Sequence, residues 1–337
     1  MLPRSLALIL LSMLLTRPVG ARAAVSAASG PIPPTASPQS AVTALAPVVV
    51  VGRFAGPKLW RVSRGGHALW ILGTVLPLPK RMVWQSGGIQ ALLRRTQEVI
   101  PAWPSVGIGF HPFTMLHLYV LWRRAQDNPD HLPLEAVLPA ALYARFAALR
   151  RRFAPRDQRI ERLRPILAAR RLYGEALAAS DLTPRDEIQR TVLRLARREG
   201  VPVRTDALRV QDPIRVMKDL SDIPRAGEVA CLRSVIVRLE TDLGPMQARA
   251  RAWALGDVDL LRRLPLTDNR TTCTDAVSGS ARVRRILAQA DRDWMSAALA
   301  ALARNRTTLA LQSMDRLLGP DGTLAALRRM GYRVEGP

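Results

Sequence analysis

The chain has 337 residues, is 48% hydrophobic but only 5% aromatic, and carries a formal net charge of +23. That length suits one large domain or two small ones with a sizeable core, and a core left to Leu, Ala and Val favours helices. The basic residues, nearly all arginine, are dispersed as pairs such as 94–95, 170–171 and 328–329, with one triple at 150–152; this excludes the block of charge expected of a nucleic-acid-binding tail and reads as solvated helix faces.

In chain order, "MLPR" is a short basic start and "SLALILLSMLLT" an apolar run too short to span a bilayer comfortably. The small residues of "VGARAA" follow. Residues 1–23 therefore predict a secretory signal peptide cleaved after Ala23, the alternative being an uncleaved anchor. Cleavage would leave the chain at about +20, and no later segment is long and apolar enough to cross a membrane. The expected location is periplasmic or secreted. Residues 24–57, rich in Ala, Ser, Pro and Val, predict a flexible linker; "VVVVG" (48–52) is either a short strand or the linker's end.

A single folded domain is expected over 58–337. Leu59–Val62 and Ala68–Leu72 flank "SRGGH" and predict a β-hairpin. "SGGIQALLRRTQ" predicts a helix with Ser86 as N-cap, and "EVIPAW" a short strand. "SVGIGF" (105–110) lacks the third glycine of a dinucleotide-binding loop and reads as a loop or strand end. From about 113 to 200 and 212 to 303 the spacing is mostly helical. "PAALYARFAALRRRF" puts Leu142, Phe146 and Leu149 on one face. "TPRDEIQRTVLRLARREG" predicts a helix from a Thr183 cap to Gly200, followed by a strand "VPVRT" (201–205). A further helix starts at Pro224, and "RARAWALGDVDLLRRL" reads as a helix, a Gly-Asp break and a short helix. "RTTLALQ" (306–312) predicts a strand; "GPDGTLAALRRMGYRVE" predicts a turn, a helix ending at Gly331 and a last strand at Tyr332–Val334. The predicted fold class is α/β (α+β): a mixed sheet built from N- and C-terminal strands, covered by a large helical insert.

The chemistry is sparse. His67, His111, His117 and His131 show no metal-ligand spacing, and no G-x-S-x-G or H-E-x-x-H motif occurs. Asp206, Asp212, Glu240 and Asp257 could serve as acid/base groups by type alone; capping or surface roles suit each better. In an oxidising compartment Cys231 and Cys273 can pair, closing a loop of roughly 40 residues. Two free buried thiols, or a metal pair that no C-x-x-C or adjacent His supports, are the alternatives.

Three stretches in order, "LWRVSRGGHALWILGTVLPLP", "AWALGDVDLL" with "DRDWMSAALAALARN", and "LLGPDGTLAALRRMGYRVE", resemble the TraB/GumN family, which includes the Tiki-type proteases. The resemblance implies a mixed sheet enlarged by helices. In active members it also implies a metal-dependent hydrolytic site made of two G-x-x-H motifs, a Glu and an Arg. Here the first motif falls on Gly73-Thr74-Val75-Leu76, so Leu76 stands at the histidine position. The Glu position falls near Pro101 or Ala102; Glu98 is nearby but starts the strand. The second motif falls on "SMDR", with Ser313 for Gly and Arg316 for His, or Asp315 if shifted by one residue. Only the Arg has a counterpart, Arg292. Leu cannot ligate a metal and Arg is a permanent cation.

The expectation is therefore an exported binding or scaffold protein of the cell envelope, silent for the family's reaction and using no cofactor. Thr74, Leu76, Arg292, Asp315 and Arg316 would be its vestigial or anion-binding cleft. The plainer reading of the arginines is ordinary pairing, with Asp291 or Asp321 as partners. A hydrolase (peptidase-like) with a relocated active site at Asp315 is the alternative. The net charge adds an anionic envelope component, acidic glycan or lipid headgroup, as a possible partner.

Overall fold

The computed structural model describes residues 56–103, 105–108, 112–205, 207–210, 212–264, 273, 276 and 279–337. The predicted signal peptide, the predicted linker up to residue 55, His111 and Asp206 lie outside the described residues.

The predicted hairpin is present. Strand β1 (Leu59–Arg64) runs antiparallel to β2 (His67–Thr74), with Leu59 opposite Leu72. Gly65 and Gly66 both have positive φ, 55° and 85°, the backbone a tight hairpin of right-handed twist requires. A two-residue strand β3 (Leu78–Pro79) and helix α1 (Gly87–Leu93) follow. Ser86 stands at the N-cap of α1, but its side chain makes no capping hydrogen bond, because its backbone is already helical; its carbonyl accepts from Gln90 N instead. Strand β4 (Glu98–Ile100) matches "EVI".

The middle of the chain departs from the expectation in three places. Residues 105–108 are a true strand, β5 (Ser105–Ile108), paired in parallel with β7 (Ala207–Val210) in a small second sheet. "VPVRT" is not a strand: Val203 makes only a single bridge, to Val99. Between β5 and β7 come α2 (Pro112–Arg124), α3 (Leu134–Val137), α4 (Ala140–Phe153), α5 (Pro165–Ala179), a two-residue β6 (Leu182–Thr183) and α6 (Glu187–Arg198). Thr183 does not cap α6. It pairs with Leu78 across β3–β6, and the cap is Asp186, whose carboxylate accepts from Gln189 N at 2.8 Å.

Helices α7 (Pro213–Ser221), α8 (Arg225–Thr241), α9 (Leu243–Leu255), α10 (Val258–Arg263) and α11 (Ala281–Arg304) complete the insert among the described residues. The Gly-Asp break is as read: Gly256 ends α9 at φ 74° and Asp257 caps α10 through Leu260 N at 2.9 Å. The chain returns to the sheet with β8 (Thr307–Ser313), α12 (Met314–Leu318), α13 (Thr323–Arg329) and β9 (Arg333–Glu335).

The main sheet has the order β4-β8-β2-β1-β9. Strands β4, β8 and β2 pair in parallel, and β1 runs antiparallel to both its neighbours, β2 and β9. This is the predicted mixed sheet of terminal strands. β2 and β8 are buried over nearly their whole length, as expected when both faces are covered; α11 lies across β2, β4 and β8, and α12 packs on β8 and β2. A second apolar core joins α4, α5 and α8 through Phe146, Leu172 and Leu232. Cys231 and Cys273 are disulfide-bonded, Cα atoms 4.6 Å apart, which fixes residue 273 to α8.

Candidate functional site

Because β2, β8 and β4 are parallel, their carboxyl ends open on the same side, where open α/β sheets place ligands. Thr74 and Ser313 end their strands side by side in register. Both are buried, and the Ser313 hydroxyl makes no hydrogen bond. Two tryptophans hold these ends. Trp253 of α9 donates its indole N–H to Gly73 O at 2.6 Å, and Trp294 of α11 donates to Leu311 O at 3.0 Å. Trp84 meets Trp253 edge-on at 5.3 Å.

Gly73 is not a strained turn position. It lies inside β2, opposite Gln312, and its φ is not positive. Its reason is space: a Cβ there would sit 2.7 Å from Met314 Cε and 2.8 Å from its Sδ. Gly73→Ala is therefore expected to destabilise by about 1–3 kcal/mol. Much of that loss should disappear in a Met314→Ala background, read as a less-than-additive pair in urea unfolding.

Leu76, half-buried, packs against the apolar core beyond the strand end. Arg316, on α12, forms an ion pair with Asp291 of α11, and its guanidinium lies 4.6 Å from the Trp103 ring centre, just past β4. Arg292 is on the neighbouring position of α11 but is exposed and donates to Gln289 Oε1 at 2.6 Å. Asp315 is half-buried in the first turn of α12. The structure thus gathers Thr74, Ser313, Trp103, Arg316 and Asp291 around the strand ends and turns Arg292 toward its own helix. Near the Glu position, Ala102 donates its N–H to Gln189 Oε1 at 2.8 Å. Glu98 is at the other end of β4, beside Arg204 at 3.4 Å and Arg304 at 3.8 Å.

Sequence reasoning missed Trp253, Trp294 and Trp103 as the residues that build this end of the sheet. The signal was present, since "AWALGD" and "DRDW" each carry a tryptophan in a chain poor in aromatics; a buried indole needs an acceptor, and strand-end carbonyls supply one.

The family model for TraB/PrgY/gumN matches residues 58–336, nearly the whole described part of the chain. The chain belongs to the TraB/PrgY/gumN family. Neither a curated protein nor a solved structure matches it. The residues that the resemblance puts at the metal-site positions are not metal donors: Leu76 is aliphatic, Arg316 is a permanent cation paired to Asp291, and neither Pro101 nor Ala102 has a carboxylate. No group of three His, Cys, Asp or Glu that could hold a metal occurs among the described residues. No hydrolytic step is derived through a metal at this site.

Proposed function

We propose that this TraB/PrgY/gumN-family chain is an exported protein of the cell envelope that does not perform the family's metal-dependent hydrolysis and acts by binding or as a scaffold. The observation that carries this reading is Arg316. Its guanidinium stands at the second histidine position, ion-paired to Asp291 and stacked on Trp103, so a fixed positive charge would oppose a metal cation there. Leu76, packed into the core, removes the other histidine. Export is supported by the apolar N-terminal run and by the disulfide.

The test is elemental analysis of protein purified without chelator, together with cleavage of a peptide panel with and without chelator. The expected result is substoichiometric zinc and manganese and no chelator-sensitive cleavage. Stoichiometric metal would overturn the reading. Cleavage lost in Asp315→Asn would replace it with a hydrolase whose site has moved.

A further inference from the structure

Helix α2 is apolar on the side that faces solvent. Leu118 is its buried contact toward α7, while Phe113, Leu116, Tyr119 and Val120 are 82%, 62%, 48% and 39% exposed. Positions 113, 116 and 120 share one helical face, an apolar stripe about 10 Å long that carries one polar residue, the exposed His117, at its edge. The same face ends at Arg123 and Arg124, both exposed.

Those two arginines line a cavity of about 850 Å³ between the end of α2 and the starts of α5 and α8. Arg164, on its floor, is committed: it pairs with the buried Glu228 and donates to Ser221 O at 2.6 Å. Asp127 lies 4.0 Å from Arg159, and Asp130 is at the rim. Arg123 and Arg124 are exposed, whereas Arg225 is close enough to Glu228 to help hold its negative charge.

An exposed apolar helical stripe, continuous with exposed arginines on a chain of net charge +23, matches the chemistry of an anionic lipid surface. Such a surface takes aromatic and aliphatic side chains into its acyl boundary and binds guanidinium groups through its phosphates. No helix among the described residues is long and apolar enough to cross a membrane, so the contact is interfacial. We propose that α2 is a membrane-surface anchor, with Phe113, Leu116 and Val120 entering the interface of an anionic bilayer and Arg123 and Arg124 holding its phosphate headgroups. This is independent of whether the strand-end site is silent.

The test is hydroxyl-radical footprinting of the full chain with vesicles of phosphatidylcholine alone or mixed equally with phosphatidylglycerol. Footprinting reads α2 itself, whatever the N-terminal apolar run contributes to binding. Phe113 and Tyr119 should be reactive without vesicles and protected on the anionic vesicles only, with protection weakening as salt rises. Arg123→Ala and Arg124→Ala should each weaken protection of Phe113 about fivefold at low salt. Leu116→Ser/Val120→Ser should weaken it at least about tenfold, with unchanged thermal unfolding showing that the fold is intact. Three results would overturn the proposal: full reactivity on anionic vesicles; protection that grows with protein concentration alone, which would assign the face to a second copy; or protection at every concentration without lipid, which would assign it to the chain itself.

Discussion

Asp242→Ala should cost about 3–5 kcal/mol of folding stability, the largest loss expected from any single substitution considered for this protein. Asp242 accepts from Arg249 through both oxygens, at 2.8 and 2.7 Å, and from Arg238 Nε at 3.1 Å. The three residues are only 6%, 4% and 7% exposed. Removing the carboxylate leaves two guanidinium groups buried without their counter-charge, and that desolvation dominates the cost. The position matters as much as the energy. Asp242 is the junction of α8, which carries Cys231 into the helical core, and α9, which carries Trp253 to the end of β2. Urea unfolding followed by far-UV circular dichroism measures the loss; a change below about 1 kcal/mol would show that water already reaches the arginines. Replacing all three residues with apolar ones of similar volume should recover much of the stability.

Opening the disulfide should be nearly as severe. The cross-link joins residues 42 apart, and loop-closure entropy puts its contribution at about 4 kcal/mol. Because Cys231 is 1% exposed within the second core, the comparison is best made with Cys231→Ala/Cys273→Ala, which avoids burying new polar groups. Reductant added to the native protein should lower the unfolding midpoint by a similar amount and leave the double-alanine protein unchanged. Equal midpoints for the oxidised native and double-alanine proteins would mean that the cross-link does not restrain the unfolded chain. Since domains of this kind are stable by only about 5–15 kcal/mol, a cytosolic environment that reduces this bond would remove a large share of the margin.

Much of the sheet was legible because its strands carry local marks: a Gly-Gly turn between β1 and β2, and continuous apolar runs in β2 and β8. The cap of α10 was legible for the same reason, since Gly256-Asp257 encodes a helix end and a helix start in two adjacent residues. Thr183 was misread because it competes with Asp186, whose carboxylate is the better acceptor, and because β3 supplies it a strand partner that no local pattern announces. β5 and β7 are separated by helices α2 to α6, and short parallel pairing leaves no local trace. At the strand ends, the family resemblance put Leu76 and Arg316 at the histidine positions, and both lie near the ends of the parallel strands. The plainer reading offered Asp291 or Asp321 as partners of the arginines, and Arg316 pairs with Asp291; what the sequence could not show is that Arg292 turns away from this cluster, because one residue along α11 rotates a side chain by about 100°. Nor could it show that Gly73 serves close packing rather than an unusual backbone angle.

The register of β2 against β8 governs how the chain can reach its native state. The hairpin β1–β2 is local and can form early, yet the open side of β2 is satisfied only by β8, on the far side of the whole helical insert. Until synthesis and folding deliver β8, the growing chain carries a long apolar strand edge with free backbone donors and acceptors. Closing a sheet through such distant partners is slow. An intermediate in that condition is a substrate for holding chaperones and for edge-to-edge association, so the step most exposed to failure in this protein is the late arrival of β8 between β2 and β4.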